Sequence, residues 1–260
     1  MKRAAQETPS IQSLDRALHI LETVAKSTDP VALGDLTDLL GVDRSSAFRL
    51  ANTLKRRGFL ANPTGRKDYI LGPSVWRLSR QCDWSKALIA IAHEHLKALA
   101  ATTKETAHLA VREGRKALFI DHVSIPQRIV VAGQTGESVP LYCTAHGKAL
   151  LVDFTERELE NLLGGAPLPA PTKQTIISIP KLAKVCAQIK TQGFAADDIE
   201  FEEGIRCVAS PIRNENGVVI GSIGVSAPLT RFPDSRFSIC GKQVAEVANQ
   251  ISEALSAQAV

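Results

Sequence analysis

The chain has 260 residues, enough for one large domain or two small ones with a sizeable core. A net charge of +4 is too mild to announce a nucleic-acid partner by itself, so its distribution has to decide. The longest apolar run, ALIAIA at 87–92, is too short to span a bilayer, and the first ten residues lack the apolar stretch of a secretory signal.

Five scattered cysteines (Cys82, Cys143, Cys186, Cys207 and Cys240) form no CxxC pair. They argue against a disulfide framework or a zinc knuckle and for a reducing cytoplasm.

Residues 1–9 read as a disordered tail. From Ser10, Ile11, Leu14, Leu18, Leu21 and Val24 repeat at helical spacing. A short second helix, LGDLTDLLG, stops at Gly41. Asp43 then caps a third helix, predicted over Arg44–Arg57. FLAN and DYIL, joined by PTGRK, read as a hairpin. Helix, helix, turn, helix, hairpin is the winged helix-turn-helix order, here over 10–72.

The third helix divides by face. Ala47, Leu50 and Leu54 point inward. Ser45, Arg49, Asn52 and Arg56 form a stripe, with Ser46, Thr53 and Arg57 beside it. These are the side chains that reach base edges and phosphates. From Arg44 to Leu71 the cations are Arg44, Arg49, Lys55, Arg56, Arg57, Arg66 and Lys67, against the one acid Asp68. The predicted DNA contacts are therefore Arg44, Ser45, Ser46, Arg49, Asn52, Thr53 and Arg56, with Arg66 and Lys67 at the wing tip.

A long helix is predicted from Ser74 to about Ala101, its first part (73–87) linking the head to a second domain at 88–260. AHLAVRE, KALFIDHVS and RIVVAG read as strands. YCTAHGKALL follows, then a helix from Thr155, a Pro-rich loop, and a helix over Ile179–Thr191. AADDIEF, IRCVASPIR and VVIGSIGVSAP are strands, the last two joined by the turn NENG. A terminal helix is expected over Asp234–Leu255. Antiparallel strands between helices imply an α+β domain.

TAHGK reads as a turn entering a helix that Thr144 caps. The N–H groups of Ala145, His146 and Gly147 then face outward as a carboxylate seat, and Lys148 points on toward a surface partner. Cys143, Cys207 and His146 leave an enzyme open as an alternative, with the head as an accessory module. Their spacing fits no nucleophile motif, so no catalytic residue is assigned. A metal site from His146, Asp197 and Cys207 is chemically possible but is not assigned, and no cofactor is expected. A purely DNA-binding protein whose large domain only dimerises is a further alternative.

SLDRALHILE, DRSSAFRLANTLKRRGFL with YILG, GESVPLYCTAHGKALL, and EEGIRCVASPIRNENGVVIGSIGVSAP with LTRF together resemble the IclR-type (isocitrate lyase regulator) transcription factors over nearly the whole chain. The resemblance implies a winged-helix DNA-binding domain, a GAF-like α+β effector domain, and dimers or tetramers on a pseudo-palindromic operator in double-stranded DNA. It implies a small organic-acid effector held by Ala145, His146, Asp197, Cys207, Gly224 and Ser226. Asp197 beside a carboxylate seat suits a monocarboxylate bearing a hydroxyl or keto group.

Overall fold

The computed structural model describes residues 11–79, 85–127, 131, 133–165 and 167–258. Two compact units divide the chain, Met1–Asp83 and Trp84–Val260.

In the first unit, α1 (Gln12–Lys26) buries Ile20 and Val24. α2 (Leu33–Leu40) buries Leu36 and ends on Gly41, whose φ of 58° is the left-handed turn that glycine adopts without a Cβ penalty. α3 (Arg44–Arg56) follows at once. β1 (Leu60–Ala61) and β2 (Ile70–Leu71) pair antiparallel, and Val31 bridges to Tyr69 beside them. The core is Ile20, Val24, Val31, Leu36, Ala51, Leu60 and Tyr69. α4 (Pro73–Ser79) closes the unit.

The helix expected over 74–101 is described as two pieces, α4 and α5 (Lys86–Thr103), with Ser85 at the N-cap of the second. Residues 80–84 between them fall outside the described residues.

The second unit is built on a six-stranded antiparallel sheet. Its strands are β3 (Thr106–Glu113), β4 (Lys116–Val123), β5 (Ser138–Pro140), β6 (Ala195–Asp198), β7 (Ile205–Arg213) and β8 (Val219–Pro228), in the order β5-β4-β3-β8-β7-β6. The period of two sorts its residues. Ala107, Leu109, Val111, Val208, Ile212, Ile223 and Val225 face one way, where α5 and α9 (Asp234–Gln258) supply Leu88, Leu96, Val244 and Ile251. Ala110 and Ala209 face the other way, toward α6 (Ala145–Leu150), α7 (Glu156–Leu163) and α8 (Ile179–Gln192).

Two predicted strands differ. AADDIEF stops at Asp198, because Ile199 takes a φ of 61° and turns the chain out of the sheet. A β-branched residue in that region is strained. Most of RIVVAG lies outside the described residues. Among the described residues, no helix is long and apolar enough to cross a membrane.

Candidate functional sites

Asp43 sits at the N-cap of α3 and accepts from the backbone N–H of Ser45 (2.9 Å) and Ser46 (3.0 Å). It also accepts from both serine hydroxyls, at 2.5 and 2.7 Å. These bonds, the Ser45 hydroxyl first, hold the Asp43 carboxyl well below the usual carboxylate range. The predicted contacts Ser45 and Ser46 have therefore committed their hydroxyl protons and offer only lone pairs. Thr53 likewise donates to the Arg49 carbonyl at 2.7 Å.

Arg44, Arg49, Asn52 and Arg56 are exposed, and among the described residues their side chains have no hydrogen-bond or ion-pair partner. Phe48, which sequence reasoning passed over, is half exposed on this helix, while Ala51 joins the core. At the wing tip Lys67 is exposed and Arg66 pairs with Asp68 at 2.7 Å.

In the second unit a cavity of ≈ 70 Å³ opens between α6 and the sheet. It is several times what one water needs (roughly 10–15 Å³) and about half the size that holds benzene (~150 Å³). Of the predicted residues, Ala145, His146, Asp197, Cys207 and Ser226 line it.

Gly147 and Gly224 do not line this cavity. The Gly147 N–H donates to Thr144 Oγ1 at 3.1 Å, and a Cβ there would strike the Leu141 backbone. Gly147 thus serves close packing, and only Ala145 and His146 leave their N–H groups without an acceptor among the described residues. Gly224 lies where a Cβ would meet the Val208 carbonyl and Ala209, so its role is close strand pairing.

His108, missed in the sequence, lines the same cavity from β3. Its ring lies 4.8 Å from Phe119 and 6.1 Å, edge to face, from His146. His146 Nδ1 shares a hydrogen bond of 2.9 Å with Ser222 Oγ. Among the described residues its Nε2 and both ring nitrogens of His108 are buried with no hydrogen bond of good geometry, although the Gly133 backbone packs closely against His108 Nε2. Burial, then the neighbouring His122, lowers His108 to about 4. Burial, then His108, lowers His146 to about 3. Both rings are neutral at pH 7.

Asp197 Oδ1 accepts the Glu200 N–H at 2.7 Å, yet burial pushes the carboxyl up to about 7. Lys148, expected at the surface, is instead buried and paired with Glu200. Phe119, Val131, Glu137, Val139, Thr144, Phe201, Glu202 and Ile205 complete the wall. The one signal for His108 is a polar residue set between the apolar Ala107 and Leu109 inside a strand.

Burial also raises the Cys143 thiol to about 12 and the Cys207 thiol further still. A nucleophilic cysteine needs the opposite shift. Among the described residues, no group of three His, Cys, Asp or Glu side chains is arranged to hold a metal ion.

Two family models match. One described as the IclR helix-turn-helix domain covers residues 13–63, and one described as the bacterial transcriptional regulator IclR C-terminal covers 84–253. The chain is 31% identical to the acetate operon repressor of Salmonella typhimurium over 250 residues, 95% of this chain and 91% of that one. It is 30% identical to the transcriptional repressor IclR of Escherichia coli K12, over the same shares. The Thermotoga maritima IclR crystal structure superposes with a TM-score of 0.75 at 28% identity, covering 95% of this chain and all of that one. An IclR homologue from Microbacterium hydrocarbonoxydans, complexed with 4-hydroxybenzoate, has the same fold, with a TM-score of 0.81 at 23% identity over 94% and 99% of the two chains.

Proposed function

From the premise that the chain belongs to the IclR family of bacterial transcriptional regulators, we propose that its binding to a pseudo-palindromic operator is modulated by a small organic acid held in the cavity beside α6. Arg49, Asn52 and Arg56 read base edges, with Arg44 and Lys67 on phosphates. The protein works in the cytoplasm as a homodimer or homotetramer, each dimer presenting two recognition helices to half-sites one or two helical turns apart. It carries out no chemistry on the acid, a reading supported by the raised thiols of Cys143 and Cys207.

The observation that carries the effector reading is a pair of buried imidazoles on one cavity, His108 and His146, whose ring nitrogens are left incompletely hydrogen-bonded among the described residues. Buried polar atoms are almost always satisfied, so such a set points to a ligand that completes them. Ala145 and His146 add N–H donors, and Asp197 suits a hydroxyl or keto oxygen. A related protein held with 4-hydroxybenzoate, a hydroxy acid, is consistent with that chemistry. The ≈ 70 Å³ volume favours an acid of a few carbons.

An acid can alter operator affinity only through unequal binding to two arrangements of the protein. The test is thermal unfolding against pyruvate, lactate, gluconate and 4-hydroxybenzoate. A ligand in large excess over its Kd adds roughly 3 kcal/mol. Each hit is followed by NMR for turnover and by its effect on binding to a duplex selected from a random library. An acid that stabilises, survives unchanged and shifts duplex affinity is the expected result. An acid that is consumed overturns the non-enzyme reading.

A further inference from the structure

Taking the ligand to be a small acid, as proposed above, we infer that the cavity accepts it together with a proton. Binding draws about one proton from solvent onto the cluster of His108, His146 and Asp197. The regulator then responds to the acid and to ambient pH jointly.

The geometry behind this is an acidic wall facing unsatisfied imidazoles. Asp197 enters from β6, Glu202 from the turn after it, and Glu137 from the chain leading into β5. Glu137 and Glu202 are exposed, and Glu137 Oε2 accepts the Gln134 N–H at 3.1 Å, so Asp197 is the buried carboxyl that an incoming carboxylate meets. The buried cation beside them, Lys148 on α6, is committed to Glu200. Arg206 on β7 is committed to Asp198 at 2.6 Å and Asp234 at 2.7 Å. On β4, His122 faces His108 with ring centroids 6.3 Å apart and shares a hydrogen bond with Thr135. The thiols of Cys143 and Cys207 stay neutral.

The two neutral imidazoles and the Asp197 carboxyl are then the available proton acceptors. A neutral ring offers one donor and one acceptor, whereas an imidazolium offers two donors. A carboxylate is acceptor-only, so it satisfies more of these nitrogens once a ring is protonated. Alternatively the proton sits between the ligand carboxylate and Asp197, whose burial favours its neutral form. In both arrangements one proton travels from buffer to site, no covalent bond forms, and the net charge brought into the cavity is close to zero. Without ligand both rings are neutral at pH 7, so a ring holds the proton only where the ligand carboxylate beside it raises its low value, whereas Asp197, pushed up to about 7, needs a much smaller rise.

Titration calorimetry of the full chain decides it. The probes are pyruvate, lactate, gluconate and 4-hydroxybenzoate, each in phosphate and in Tris, whose ionisation enthalpies differ. Uptake approaching one proton is expected, with Kd weakening up to about tenfold per pH unit, from above about pH 7 where Asp197 takes the proton and from about pH 4 where a ring does. Equal heats in the two buffers and a flat Kd mean the acid binds without a proton, which overturns the inference and leaves the effector reading intact. Binding of none of the acids between about pH 5.5 and about pH 8.5 overturns the effector reading, and the inference with it. Asp197→Asn is expected to bind with altered uptake. If that variant does not fold, the imidazole nitrogen shifts of the unaltered protein, followed as acid is added, report whether a ring takes the proton.

Discussion

Lys148 on α6 and Glu200 in the turn after β6 form a buried ion pair, and that pair joins the two elements that carry His146 and Asp197 to the cavity. Lys148 is only 1% exposed and Glu200 8%. Burial raises the Glu200 carboxyl even with its partner in place, and among the described residues its Oε2 has no hydrogen bond. Removing one partner of such a pair leaves a buried charge and costs about 3–5 kcal/mol, whereas replacing both with apolar residues is often neutral. Lys148→Met is expected to lower the urea midpoint by that order. Lys148→Met with Glu200→Leu should recover most of the loss in a double-mutant cycle. A single variant costing under about 1 kcal/mol would show that the pair does not hold the turn.

The same cavity sets a pH profile. His108 and His146 have folded values near 4 and 3, below their ordinary 6.5. Their contribution is present above about pH 6.5 and is lost as pH falls toward those values, about 1.4 kcal/mol per pH unit for each ring. Asp197 runs the other way. Its value is raised from 3.8 to about 7, so its contribution is present below about pH 4 and is lost as pH rises through about 7. Together the three groups give a net slope of about +1.4 kcal/mol per pH unit from about pH 4 to 6.5. Asp197→Asn keeps an oxygen for the Glu200 N–H and removes the opposing slope. Denaturation midpoints across that range should then steepen to about twice the slope, and the variant should gain stability at about pH 8. An unchanged profile would mean that Asp197 is ionised throughout.

How much of this was legible in the sequence depends on whether a residue's role is local or set by its neighbours. Gly41 and Asp43 punctuate α2 and α3 by local stereochemistry, and both boundaries stand in the structure. Thr144 caps α6 as its hydroxyl predicts. The N–H of Gly147 was expected to face a ligand, but it faces the cap, because only the fold reveals how near Leu141 passes. Lys148 was read as a surface cation because its partner Glu200 is 52 residues away. His108 becomes a cavity residue only when β3 is laid between β4 and β8 with His108 opposite Gly224. The commitment of Ser45 and Ser46 to Asp43 follows from rotamers that no spacing rule contains.

The reading head separates base contacts from phosphate contacts. Arg49 is exposed on α3 and Lys67 on the wing. Arg49→Ala should cost about 1–3 kcal/mol on the preferred duplex and flatten the preference among base substitutions. Lys67→Ala should weaken all duplexes alike and reduce the salt slope by about one. Binding isotherms at several salt concentrations, on selected and scrambled duplexes, read both quantities. Identical effects of the two variants on every duplex would make Arg49 a phosphate contact.

Two glycines make opposite predictions from the same substitution. A Cβ at Gly34 in α2 meets nothing within 4 Å, and its φ is ordinary. Gly34→Ala therefore removes backbone freedom from the unfolded chain without a clash, a gain of about 0.5–1 kcal/mol. A Cβ at Gly147 meets the Leu141 carbonyl, Cα and carbonyl carbon, all backbone atoms that no rotamer change can move aside. Gly147→Ala must then displace α6 from Leu141 and disturb the Thr144 cap, and overpacking of this kind costs about 1–3 kcal/mol or more. Thermal midpoints of the two variants should move in opposite directions. Because Ala145 and His146 lie two residues and one residue before Gly147, Gly147→Ala should also weaken acid binding, while Gly34→Ala in the other unit leaves it unchanged. A Gly147→Ala variant with the parent's midpoint would show that α6 leaves room for a methyl group beside Leu141.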